Sequence, residues 1–233
     1  MGHVTPTSTK LWYLKRIHLF SGLSQSELME MDRITRMWEV KKRQPIYLRG
    51  DPSNTVYLLK KGRVKIGSST PSGKEVTFEI LDPGEIFGEL EALEDSPREA
   101  LAETLDDALI CAIRREDFTR YLREHPDLMV KLTKLMGFRL RKIQSRVEDL
   151  VFRDVPTRLA HLLLELKKTD GVPEGAGIRL SVKLTHQEMA NLIGCSRETV
   201  TATLGQFRER RLIRIDGRSI TILDSYGLHR LGT

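Results

Sequence analysis

The stretch from Asp127 to Phe152 runs without a proline and with a single glycine, and it limits the fold more than any other part of the chain. Its apolar residues Leu132, Met136, Leu140, Ile143, Val147 and Leu150 advance by steps of four or three, which keeps them on one stripe of an α-helix. Lys131, Lys134, Arg139, Arg141, Lys142 and Arg146 fall on the other faces. A helix of roughly 25 residues is about 38 Å long, more than a small domain needs to cover its own core. The stripe is expected to pack against a second copy of itself, with one-sided burial on the same chain's β-rich domain as the alternative.

Upstream, from about Lys41 to Phe118, short β-rich runs are punctuated by glycine. Val56-Tyr57-Leu58-Leu59, Val64-Lys65-Ile66 and Val76 to Leu81 read as strands, and Lys61-Gly62-Arg63 and Pro71-Ser72-Gly73 as turns, a spacing that suits an antiparallel sandwich or barrel. Before it, SQSELMEMDRITRMW reads as a helix opened by a capping box of Ser24 and Glu27. Downstream, Asp154-Val155-Pro156 breaks the long helix, because proline lacks a backbone donor and disfavours a helical residue ahead of it. A helix from Thr157 to Lys168, a Gly/Pro loop from Asp170 to Gly177, two helices joined by a tight turn, and a hairpin follow. With 233 residues the chain can bury two separate cores.

Composition narrows the function classes. No stretch approaches the roughly 18 apolar residues of a membrane span, and MGHVTPTSTK lacks the apolar segment of a signal peptide, so a cytoplasmic protein with no membrane partner is expected. Cys111 and Cys195 are far apart and the six histidines are scattered singly; neither a disulfide framework nor a metal site is expected. No nucleophile-base pair or phosphate-binding loop is visible, so no catalytic residues are assigned and an enzyme is not expected. The net charge of +6 and pI near 9.4 favour a polyanionic partner. From Arg153 onward the chain holds 13 basic against 9 acidic residues.

The segment GCSRETVTATLG, residues 194–205, gives that partner a chemistry. Thr185 and Glu188 form a second capping box that opens a helix running to Ile193. Gly194 suits the left-handed residue that ends it, and Ser196 caps the next helix. Small Ala190, Gly194 at the turn and branched Val200 are placed as a helix-turn-helix requires. If Val200, Leu204 and Phe207 face inward, Arg197, Thr201, Gly205 and Arg208 face outward with Glu198 beside them. Arginine offers paired donors to guanine O6 and N7 and glutamate accepts from cytosine N4, each worth about 1 to 3 kcal/mol of discrimination. A plain surface ion pair, worth about 0 to 1 kcal/mol, is the alternative. Asp216-Gly217 between two apolar runs reads as a hairpin wing.

From about Leu19 to Leu223 the chain resembles the Crp/Fnr, or catabolite activator protein, family of bacterial transcription regulators. The likeness rests on Gly50-Asp51, Val56-Tyr57, Gly62, Pro83-Gly84-Glu85-Ile86-Phe87-Gly88-Glu89, Pro97-Arg98 and Ala100, and on Gly194-Cys195-Ser196-Arg197-Glu198-Thr199-Val200. The resemblance implies an α+β fold: a cyclic-nucleotide-binding-like β-roll (jelly roll) over residues 1–125, a dimerisation helix over 126–152, and a winged helix-turn-helix over 153–233. It implies a homodimer on a palindromic operator in double-stranded DNA, with Arg197, Glu198, Thr201 and Ala202 at the bases and Thr185, Gln187, Ser196 and Thr199 at phosphates. Ala202 stands where many relatives carry a second arginine; its methyl can meet only a thymine methyl. The segment 167–177 lies where relatives can touch RNA polymerase. A cyclic-nucleotide-binding module acting on a protein partner is the second function class, which leaves the helix-turn-helix without a task.

The same resemblance places an effector pocket at Gly88, Glu89, Leu90, Arg98, Glu99, Ile143 and Gln144. Glu89 and Arg98 match the family's ribose and phosphate partners, but Glu99 stands where cyclic-AMP binders carry a hydroxyl. A carboxylate about 5 Å from a phosphate is repelled by about 3 kcal/mol at an effective dielectric near 20. Ile143 and Gln144 replace the threonine and serine that meet the adenine. Cyclic AMP, another small effector, and a pocket needing none all stay open. A cluster-binding branch would need several cysteines; haem or thiol sensing through Cys111 is set against its reading as a small core residue.

Overall fold

The computed structural model describes residues 14–70 and 72–232; the N-terminal segment MGHVTPTSTK and Pro71 of the expected turn lie outside them. The chain divides into two compact units, 1–139 and 140–233, with the boundary inside the long helix.

In the first unit a 3₁₀ turn (His18–Phe20) leads to α1 (Gln25–Ile34), opened by the expected box: Ser24 Oγ accepts from Glu27 N at 3.3 Å and Glu27 Oε2 accepts from Ser24 N at 2.6 Å. The helix stops earlier than its sequence suggests. Residues from Thr35 onward become β1 (Thr35–Val40), paired antiparallel with β8 (Ala108–Arg114) from Thr35↔Ile113 to Val40↔Ala108, so a distant strand overrides local helical pattern. Between them lie β2 (Pro45–Tyr47), β3 (Thr55–Lys61), β4 (Val64–Ser69), β5 (Glu75–Leu81), β6 (Ile86–Phe87), the short α2 (Glu89–Glu94) and β7 (Leu101–Thr104). They form two antiparallel four-stranded sheets, ordered β1-β8-β3-β6 and β2-β7-β4-β5, which is the β-roll. After β8 the run read as strand turns into α3 (Arg115–Glu124), whose Phe118, Tyr121 and Leu122 are buried.

The long helix is α4 (Pro126–Phe152). Its stripe is buried at one end and exposed at the other. Leu132 is buried and Met136 packs partly buried on the core that holds Leu58, Ile86 and Phe118, whereas Leu140, Ile143, Val147 and Leu150 stand 57%, 49%, 53% and 48% exposed. Cys111, fully buried in that core, fills the place of a small apolar residue.

In the second unit Asp154 caps α5 (Val155–Asp170) by accepting from Thr157 N at 3.0 Å. Those hydrogen bonds from Thr157 hold the Asp154 carboxyl below the usual range. The expected Gly/Pro loop is instead a hairpin, β9 (Gly171–Glu174) and β10 (Gly177–Leu180). It joins β11 (Ile213–Asp216) and β12 (Ser219–Ile222) in one sheet ordered β11-β12-β10-β9. The extension is held by Glu174, whose carboxylate accepts from Arg179, Arg214 and Thr221 at 3.0, 3.0 and 3.1 Å. Between the hairpins lie α6 (His186–Ile193) and α7 (Arg197–Glu209), and α8 (Ser225–His229) closes the unit.

Candidate nucleic-acid interface and effector pocket

Helix α6 starts on the Thr185–Glu188 capping box, with Thr185 Oγ1 accepting from Glu188 N at 3.1 Å. It ends on Gly194, whose φ of 66° is left-handed backbone that costs glycine little. Ser196 then caps α7 by accepting from Thr199 N at 3.1 Å, and its hydroxyl lies 3.0 Å from that of Thr199. Val200, Leu204 and Phe207 are buried to within 1% of completely, as is Ala190 facing them; each large side chain contributes about 1.5–3 kcal/mol by leaving water. The opposite face is thereby fixed outward.

On that face Ser196, Arg197, Glu198, Thr199, Thr201 and Ala202 are all exposed. Among the described residues the Arg197 guanidinium donates no hydrogen bond and closes no ion pair, and it acts on Glu198 only through space. Glu198 is held ionised: hydrogen bonding from its own backbone N–H, then from Ser196, with Arg197 adding to both, keeps its carboxyl below the usual range. Gln187 donates to Asn191 Oδ1 at 2.7 Å. Thr201 differs from its neighbours. Its hydroxyl donates to Arg197 O at 2.9 Å and meets His186 Nδ1 at 2.7 Å. Both contacts engage the Thr201 hydroxyl within the fold.

In the β-roll, Glu89 and Arg98 are both buried, and Arg98 reaches the Gly88 backbone. Arg98 Nη1 donates to Gly88 O at 2.6 Å and Nη2 donates to Thr55 O. The Gly50-Asp51 motif fastens this arginine by its backbone: Gly50 N donates to Arg98 O at 2.8 Å, and Arg98 N to Asp51 O at 2.9 Å. Glu89 is buried and lies 2.8 Å from Arg139 Nη1. Burial pushes its carboxyl up, against the pull of Arg139. Arg139 also lies 3.3 Å from Glu79 and 3.9 Å from Glu85.

The remaining implied pocket residues are exposed. Leu90 is 51% exposed, Glu99 is exposed, and Ile143 and Gln144 are exposed on the part of α4 that belongs to the second unit. Sequence reasoning missed Glu91, Tyr47, Tyr57 and Arg139. The signal for Glu91 was the density of carboxylates after Phe-Gly, at positions 89, 91, 94, 95 and 99. Gly88 is required twice over: its φ is 69°, and a Cβ there would sit 2.7 Å from Arg98 Nη1. Gly88→Ala is therefore expected to lower stability by about 1–3 kcal/mol, read as a lower urea midpoint with unchanged slope.

A β-roll with a buried glutamate and arginine, followed by a winged helix-turn-helix with an outward arginine and glutamate, defines an effector-type sensor joined to a DNA reader. The Cyclic nucleotide-binding domain model matches residues 37–125, and the Crp-like helix-turn-helix domain model matches residues 157–231. The chain is 32% identical over 217 residues to the CRP-like cAMP-activated global transcriptional regulator of Mycobacterium tuberculosis, covering 93% of this chain and 97% of that one. It is 36% identical to the Global nitrogen regulator of Synechocystis sp., over 76% of this chain and 80% of the other. A solved CRP/FNR-family transcriptional regulator from Thermus thermophilus superposes with a TM-score of 0.69 at 28% identity, covering 84% and 98% of the two chains. The chain belongs to the Crp/Fnr family of transcription regulators.

Proposed function

We propose that this regulator acts in the cytoplasm as a homodimer, joined through the exposed half of the α4 stripe, that lays its two α7 helices in successive major grooves of a palindromic operator. The observation that carries this reading is the exposed, outward pair Arg197 and Glu198 on a helix whose other face is anchored by Val200, Leu204 and Phe207. In this reading residues 126–152 are the dimerisation segment between the sensor and reader domains. Arg197 takes guanine and Glu198 takes cytosine. Thr201 and Ala202 offer methyl groups, so the base pair they meet is chosen for its thymine methyl rather than for a hydrogen bond. Thr185, Gln187, Ser196 and Thr199 meet phosphates, and RNA polymerase docks at the hairpin within 167–177. A β-roll partner protein alone would leave this surface unused.

Selection from a random duplex pool tests the proposal. The expected product is a palindrome whose half-sites lie about 34 Å apart, one helical turn, with a guanine-cytosine core and a thymine preference beside it. Enrichment of a single half-site, or of no sequence, would overturn it.

A further inference from the structure

We propose that Glu91 is a built-in anion of the β-roll: its carboxylate occupies the seat at Arg98 that a ligand's phosphate would take, so a phosphate-bearing effector binds only by displacing it. One oxygen of Glu91 lies 3.4 Å from Arg98 Nη1, and the other accepts from Glu99 N at 3.4 Å. A single carboxylate thus spans a guanidinium and the backbone N–H one residue further on, a pair of donors suited to two oxygens of one anion.

Arg98 leaves little for a second anion. Its side chain is 1% exposed. Two of its nitrogens already serve Gly88 O and Thr55 O, and the guanidinium carbon sits 4.4 Å from the Tyr47 ring centre and 5.6 Å from that of Tyr57. Those rings stabilise the cation without neutralising it, so the nearby negative charge comes from Glu91. The Glu91 backbone is itself fixed, since its carbonyl accepts from Ser53 Oγ at 3.0 Å. Glu89 is already matched by Arg139.

Both contacts of Glu91 are long for charge-assisted bonds, and Arg98 Nε is buried without a hydrogen-bond partner among the described residues. The seat is therefore filled but not saturated. A ligand that carries its own phosphate competes with Glu91 for one guanidinium, and the two anions repel each other. A ligand that is uncharged at this end does not.

This inference rests on the reading, implied by the family resemblance, that Arg98 receives an effector, and not on the DNA-binding reading. Its test is calorimetric titration of the full-length protein with cyclic AMP, comparing the unaltered chain with Glu91→Gln, Glu91→Ser and the double variant Glu91→Gln/Arg98→Ala. Urea unfolding of each variant accompanies the titrations, and Glu91→Ser serves if Glu91→Gln does not fold. Removing the carboxylate is expected to tighten cyclic AMP about 10- to 100-fold, and the double variant is expected to lose that gain. Equal, measurable affinity with and without the Glu91 charge would overturn the proposal alone, as would a gain that survives Arg98→Ala. No binding by any of the proteins would overturn it together with the effector reading beneath it.

Discussion

Arg197→Ala is expected to cost about 1–3 kcal/mol of operator binding at each half-site, and about twice that for a dimer occupying both. The side chain is exposed and donates no hydrogen bond among the described residues, so its removal leaves the core intact; urea unfolding is expected to stay within about 0.5 kcal/mol. The distinguishing measurement is fluorescence anisotropy against operator and scrambled duplex at several salt concentrations. A base-reading arginine gives up specific binding while the scrambled-duplex affinity and the salt slope hardly move. A phosphate-contacting arginine lowers both affinities alike and reduces the slope by about one. Arg197→Lys sharpens the distinction, because lysine keeps the charge but loses the paired donors that fit guanine. It is expected to resemble alanine in discrimination and the unaltered protein in non-specific binding.

How much of this was legible in the sequence depends on whether the signal was local. The capping residues Ser24, Thr185 and Ser196, the left-handed Gly194 and the Asp216-Gly217 hairpin are all read from a few neighbouring residues, and each appears as expected. The outward face of α7 follows from helix periodicity alone. What escaped depended on distant partners. Thr35 to Trp38 leave the helix because β8 pairs with them. Residues 171–180 become strands because β12 offers an edge to β10 and Glu174 gathers two arginines. Arg115 to Glu124 continue from a strand into a helix with no proline or glycine between to mark the change.

The candidate sites divide in the same way. Glu89 and Arg98 stand nine residues apart and are both buried in the roll, but Glu89 pairs with Arg139 and Arg98 with Glu91. Glu91 could not be read as Arg98's partner, because only the left-handed turn at Gly88 and the short α2 after it bring residue 91 back over residue 98. The sequence also suggested that Glu99 would be the obstructive carboxylate. In the structure Glu99 contributes its backbone N–H, and the carboxylate in place belongs to Glu91. Thr201 shows the same limit on the reader side: its outward position was periodic, but the commitment of its hydroxyl required His186, fifteen residues away and on another helix.

The double substitution Ile143→Glu and Val147→Glu is expected to have the larger effect on DNA binding. The two positions are one turn apart on α4, 49% and 53% exposed, so neither change removes a core side chain or should unfold the chain. In a dimer joined along this stripe each new carboxylate lies near its symmetry mate, where two charges about 5 Å apart repel by about 3 kcal/mol at an effective dielectric near 20. Sedimentation velocity should show the dimer giving way to monomer at micromolar concentration. Operator affinity should then fall by at least about 100-fold, because the second reader loses the effective concentration that tethering to the first provides. The fall should be confined to full palindromes, with isolated half-sites bound as weakly by the variant as by the unaltered protein. Ile143→Leu with Val147→Leu, which keeps the stripe apolar, should leave both measurements in place. A variant that remains dimeric with two glutamates in the stripe would move the interface elsewhere and leave the paired α7 helices without their spacer.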